Sequence, residues 1–177
     1  MAEPKVLSER VEYENDWIKV IASKIQFDDN KTTDWTYLEL NNAVILVAVD
    51  ADKNVYLAKE WRLPFQKYLT ELPIGGCTAK SEEGIMKQAH EELMEEIGFD
   101  CKKLVRLCPP LVSGRMRLMQ HIFLATELFP SKRKGDDYEY IEVVKMPLDE
   151  AIKFFTAREE TTSATLAGLF LAREKLK

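Results

Sequence analysis

The sequence predicts an α/β fold, a mixed sheet covered by helices, and three observations carry that prediction. Residues 17–59 alternate in the manner of strands, the apolar period changes to three and four residues from Ser81, and strand-like runs then return before two helical stretches close the chain. The 177 residues make one ordinary domain with room for a small appended sheet, and a chain of this length needs neither disulfides nor a structural metal to fold.

The elements follow in order. Trp17-Ile18-Lys19-Val20-Ile21-Ala22 and Ile25-Gln26-Phe27 run to a turn at Asp28-Asp29-Asn30, and Thr33–Leu40 returns with Trp35, Tyr37 and Leu38. A hairpin is the natural reading. Ala43–Asp50 and Val55–Lys59, joined at Asp52-Lys53-Asn54, form a second and more buried hairpin. Pro64, Pro73 and Gly75-Gly76 mark loops. Met86, Ala89, Leu93 and Ile97 give one apolar face of a helix that runs from an N-cap at Ser81 to Gly98, with Glu82 and Glu83 at its positive end. Val105–Leu107, His121–Thr126 and Tyr138–Val144 read as strands, Pro147–Phe155 as a short helix and Thr161–Lys177 as a final one. The division expected is residues 1–42 as an N-terminal hairpin region and residues 43–177 as the main domain.

Composition narrows the function. Lys plus Arg 25 against Asp plus Glu 30 gives a net charge of -5, which disfavours nucleic acid and anionic membrane as partners. The longest apolar run, Ala43–Val49, is too short for a bilayer, and MAEPKVLSER lacks an apolar leader, so the cytoplasm is the expected compartment. Cys77, Cys101 and Cys108 form neither a CxxC pattern nor a closed disulfide set, and with His90 and His121 alone beside them no zinc site is expected. His121 reads as a hydrogen-bonded core residue, His90 as solvent-facing and Lys132-Arg133-Lys134 as a solvated turn.

Chemistry concentrates in Glu91-Glu92-Leu93-Met94-Glu95-Glu96-Ile97-Gly98-Phe99. At 100° per residue Glu92, Glu95 and Glu96 share an arc of about 100° beside the apolar stripe. Two such charges about 4 Å apart repel by roughly 4 kcal/mol at an effective dielectric near 20. No Lys or Arg lies four residues after these acids to relieve them, as it would on a helix face selected for solubility. A divalent cation would relieve them, and an all-oxygen ligand set points to Mg²⁺, with Mn²⁺ possible. Glu71-Leu72-Pro73-Ile74-Gly75-Gly76 precedes the helix and can bring backbone groups to the same place.

ELPIGG followed by a helix ending EELMEEIGF resembles the Nudix hydrolase signature, Gx5Ex7REUxEExGU with U aliphatic or aromatic. AKEWR, CPPLVSG, HIFLATEL and EYIEVVKMPLDEAI resemble the flanking segments of that family's ADP-ribose and nucleoside-diphosphate-sugar pyrophosphatase branch, so the likeness covers roughly residues 43–170. Glu92, Glu95 and Glu96 fall on the three acidic positions, Glu91 stands where the signature has Arg, Glu83 takes the early Glu, and the loop after Gly75 is two residues longer than in the signature.

The resemblance implies a Nudix fold, a mixed sheet sandwiched between helices as α/β/α, with the N-terminal hairpin in the place of a dimerising sheet and hence a homodimer. It implies Mg²⁺ held by Glu92, Glu95, Glu96 and the Ile74 carbonyl, and hydrolysis of a nucleoside diphosphate linked to another moiety, ADP-ribose first, to AMP and ribose 5-phosphate. Glu139 is the first candidate for general base and Asp137 the second, with Glu95 assisting. Arg62, Glu71 and Arg115 are substrate contacts, since a guanidinium suits a diphosphate, and Trp35 is the candidate for stacking on the base. Trp17, Trp35 and Tyr37 at strand spacing also suit plain sheet packing. The alternative is a catalytically impaired module of the same fold that binds a nucleotide sugar or related metabolite, which Glu91 in the Arg position favours. An interaction protein with an incidental acidic face explains neither ELPIGG nor the late acidic strand.

Overall fold

The computed structural model describes residues 3–135 and 140–177. Its chain forms two compact units, Met1–Asn42 with Leu111–Met119, and Ala43–Pro110 with Gln120–Lys177. The first unit therefore takes in a later segment besides the N-terminal strands.

In the first unit β1 (Lys5–Glu14), β2 (Ile18–Gln26), β3 (Thr32–Leu40) and β9 (Met116–Arg117) pair in that order. The expected hairpin is β2 and β3, antiparallel from Ile18↔Leu40 to Gln26↔Thr32, with Asn30 taking the left-handed conformation (φ 63°) in the turn. β1 escapes sequence pattern because every one of its residues is exposed, so no face is selected for apolar side chains. Glu9 ties it to the sheet by accepting from Ser23 Oγ and Tyr37 Oη, each at 3.0 Å.

The second unit holds a sheet in the order β11 (Glu142–Pro147), β5 (Asn54–Arg62), β4 (Asn42–Val49), β10 (Gln120–Pro130) and β8 (Phe99–Arg106). β4 and β10 run parallel from Ala43 to Ala48, and the other neighbours along this path are antiparallel. β6 (Lys67–Glu71) pairs with β5 and β7 (Ile74–Cys77) with β4. Val44–Val49 is buried throughout because helices cover both faces. On one face α1 (Glu82–Glu92) sets Ile85 and Ala89, with Leu93 and Ile97 beyond it, against Val44, Leu46, Ala48, Phe123 and Ala125. On the other, α3 (Ser163–Lys175) approaches so closely that a Cβ on Gly168 would overlap Leu72 and crowd Val47. α2 (Leu148–Thr156) packs beside it through Leu148, Ala151, Ile152 and Phe155. This is the expected α/β/α arrangement.

Several local expectations are corrected. Gly75-Gly76 lies within β7 rather than in a loop. The helix from Ser81 is capped as expected, Gly84 N–H donating to Ser81 Oγ at 3.2 Å, but its last turn, Leu93–Ile97, is π-helical and ends at Gly98 with φ 74°. The late strand is Glu142–Pro147, shifted from the predicted Tyr138–Val144, of which residues 136–139 lie outside the described set. Cys77, Cys101 and Cys108 are free thiols. Among the described residues no helix is long and apolar enough to cross a membrane.

Candidate active site

The site is built where β6, β7 and the end of α1 meet. Two backbone bonds pin the Glu71–Gly76 stretch: Leu72 N–H donates to Thr165 Oγ1 of α3 at 3.1 Å, and Leu46 N–H to the Pro73 carbonyl at 3.0 Å. Ile74 N–H then donates to Glu96 Oε1 at 3.3 Å. A Cβ on Gly75 would overlap the carboxyl group of Glu92, so glycine is needed here for close approach rather than for an unusual backbone angle. Glu92 and Glu96 are both buried, each only 8% exposed. The π-helical turn that carries Glu95 and Glu96 is a form concentrated at functional sites.

A cationic group braces the acids from β5. Arg62 Nε donates to Glu71 Oε1 at 2.5 Å and its Nη1 lies 3.0 Å from Glu60 Oε2. Burial pulls the Arg62 pKa down, but Glu71, Glu60 and Glu96 together hold it above the ordinary value. Burial raises the Glu60 carboxyl, with Glu71 adding to the rise and Arg62 opposing it. Arg62 and Glu71, predicted as substrate contacts, are therefore each other's partners beside Glu96. Glu60 was missed, although its place two residues before Arg62 on a strand puts both on one face.

The acids have a second cation. Arg133 Nη1 lies 2.8 Å from Glu91 Oε1 and its Nε 3.1 Å from Glu95 Oε1. Arg133 N–H donates to the Met94 carbonyl at 3.1 Å, and Ser131 N–H to the Gly98 carbonyl at 3.0 Å, so the segment is laid along the π-helical turn. Lys132-Arg133-Lys134 is exposed to solvent as expected, but it is not idle: with Glu95, Glu96, Ile141 and Val143 it lines a cleft of about 480 Å³. No local pattern could reveal this pairing, because 38 residues separate Glu95 from Arg133.

Glu139 and Asp137, the base candidates, lie outside the described residues. Trp35 and Arg115 belong to the first unit, where the Arg115 guanidinium stacks 4.5 Å from the centre of the Trp35 ring. His121 is buried as expected, with Nδ1 2.8 Å from Arg106 Nη1. His90 faces Asp100 instead of solvent, Nδ1 to Oδ1 2.5 Å.

The chain is 28% identical to the ADP-ribose pyrophosphatase of Bacillus subtilis (strain 168) over 162 residues, 89% of this chain and 85% of that protein. It is 25% identical to the ADP compounds hydrolase NudE of Escherichia coli (strain K12), over 77% of this chain and 73% of that protein. The chain is thus similar over most of its length to two hydrolases of ADP compounds. No family model matches it. A third relative is the methanol dehydrogenase activator of Bacillus methanolicus, 21% identical over 86% of this chain and 83% of that protein. The crystal structure of an ADP compounds hydrolase superposes on 99% of the chain and 95% of its own, with a TM-score of 0.87 and 21% identity, which establishes the Nudix fold.

Proposed function

We propose that the protein is a Mg²⁺-dependent pyrophosphohydrolase that adds water across the diphosphate of ADP-ribose, giving AMP and ribose 5-phosphate. The observation that carries this reading is the pair of buried carboxylates, Glu92 and Glu96, packed against Gly75 and the Ile74 N–H. Buried acids held this closely against backbone form an all-oxygen cradle that fits a hard divalent cation. Glu92 and Glu96, with Glu95 and the Ile74 carbonyl, are the residues to hold it. Such a cation neutralises charge on the diphosphate and makes water more acidic; Mn²⁺ can serve in place of Mg²⁺.

The protein's own groups do the rest. Lys132, Arg133 and Lys134 line the cleft beside Glu95 and Glu96 and supply positive charge for a diphosphate. The Arg62–Glu71 pair keeps the strand before Ile74 in place. Glu139 or Asp137, a few residues after Lys134, takes the proton of the attacking water. Trp35 and Arg115 are proposed contacts for the nucleotide, and the assembly is proposed as a homodimer. The ADP-directed activities named for the relatives from B. subtilis and E. coli support ADP-ribose as substrate. The impaired-module alternative rests on Glu91 in the signature Arg position; the pairing of Arg133 with Glu91 and Glu95 supports the enzyme.

The test is AMP release from ADP-ribose with Mg²⁺ and then Mn²⁺. Turnover that disappears with EDTA and falls at least about 100-fold in Glu96→Gln is expected, since metal charge stabilisation is worth several kcal/mol. Saturable ADP-ribose binding without turnover would establish the alternative.

A further inference from the structure

The fold brings together three potential metal ligands that no local sequence pattern joins. His90 lies in the last turn of α1, and Asp100 and Cys101 open β8. One ligand atom each of His90, Asp100 and Cys101 lies within 4.8 Å of the other two, with His90 Nδ1 4.0 Å from Cys101 Sγ and 2.5 Å from Asp100 Oδ1. Two ligands of a tetrahedral zinc ion sit about 3.3–3.6 Å apart, given bond lengths near 2.0–2.3 Å. The nitrogen and sulfur are therefore already close to that spacing, and the oxygen must move away by about 1 Å once its hydrogen bond to His90 is replaced.

We propose that His90, Asp100 and Cys101 bind a thiophilic divalent cation, Zn²⁺ foremost, at a site distinct from the carboxylates of Glu92 and Glu96. The donor set is one nitrogen, one oxygen and one sulfur, which suits zinc or cobalt and not magnesium. His90 and Asp100 are only half-buried, so a cation can enter from solvent, while Cys101 closes the inner side. On binding, the imidazole turns to its Nε2–H tautomer, freeing the Nδ1 lone pair, and the thiol proton passes to solvent. A water completes the fourth position.

The site has a consequence for its neighbours. The chain between His90 and Asp100 contains Glu92, Glu95 and Glu96. A cation joining the end of α1 to the start of β8 clamps both ends of the acidic turn, in the way a cross-link closes a loop. The ion is structural, and its binding does not require the proposed hydrolase activity.

The test is a Co²⁺ titration of the full chain after removal of bound metal. One equivalent should produce visible d–d bands and a near-ultraviolet thiolate-to-cobalt charge-transfer band, displaced by Zn²⁺ and unaffected by excess Mg²⁺. Cys101→Ser should abolish the charge-transfer band, whereas Cys77→Ser and Cys108→Ser should retain it. His90→Ala, which alters a half-exposed side chain, should weaken cobalt binding at least about tenfold, since even residues that only support a metal ligand contribute that much, and it keeps the test decisive if Cys101→Ser fails to fold. A wild-type spectrum without the thiolate band, a band that survives in Cys101→Ser, or unchanged affinity in His90→Ala would overturn the proposal.

Discussion

Gly75 lies directly against the Glu92 side chain: a methyl group on Gly75 would overlap the Glu92 carboxyl. Strand β7 and the end of α1 are therefore held at a separation that only glycine permits. Gly75→Ala should cost about 1–3 kcal/mol of stability, as overpacking of a dense site does, and should displace Glu92. Thermal unfolding measured with and without Mg²⁺ checks both: the midpoint falls in either condition, and the rise produced by Mg²⁺ shrinks.

Arg62 stands between Glu60 and the buried Glu71, so Arg62→Ala leaves two carboxylates facing each other. Removing one partner of a fully buried pair costs 3–5 kcal/mol; with the Arg62 side chain about a third exposed, about 2 kcal/mol is expected. The pH dependence has a definite sign. Glu60 already titrates above 4.5 in the folded protein because of burial, and loss of Arg62 raises it further. The folded state then holds its proton more tightly than the unfolded chain, so stability is full below 4.5 and is lost as pH rises through the folded value. Denaturant midpoints of wild type and Arg62→Ala should converge in acid and diverge at neutral pH.

Arg133 relieves Glu91 and Glu95 in place of an arginine within the helix. Arg133→Glu should lower the melting temperature more in EDTA than in Mg²⁺, because added cation offsets the repulsion of the acidic turn. Adding Glu91→Arg should restore much of the loss, while Glu127→Lys, which also adds positive charge but takes no part in the Arg133 pairings with Glu91 and Glu95, should not. Equal losses with and without Mg²⁺ would make the contact a surface ion pair with no bearing on the cation.

His121 should make stability fall on mild acidification. Burial, aided by Arg106, holds its pKa below 6.5. As pH falls through 6.5 the unfolded chain takes up a proton before the folded one, so stability present above 6.5 is lost on the way down to the folded value. His121→Gln should flatten the decline of the denaturant midpoint between about pH 7 and 5.

The sequence by itself determined the elements whose periodicity is imposed by burial on one face. The α1 stripe of Ala89, Leu93 and Ile97, the Ser81 cap and the apolar Val44–Val49 strand all follow from local spacing, whereas Ile85 rather than the expected Met86 is the buried residue of the first turn. The same spacing placed Glu92, Glu95 and Glu96 on one edge of a helix beside ELPIGG. Only the tertiary structure decided which groups meet those acids. β1 is exposed along its whole length and so leaves no apolar pattern. Gly75-Gly76 reads as a loop, yet lies in strand β7, where Gly75 leaves room for the Glu92 carboxyl. Arg133 reaches Glu91 and Glu95, and Cys101 reaches His90, because pairing of β8 with β10 brings distant segments back to the end of α1. Local periodicity records which face of an element is buried; it carries no trace of which remote charge or ligand lies across it.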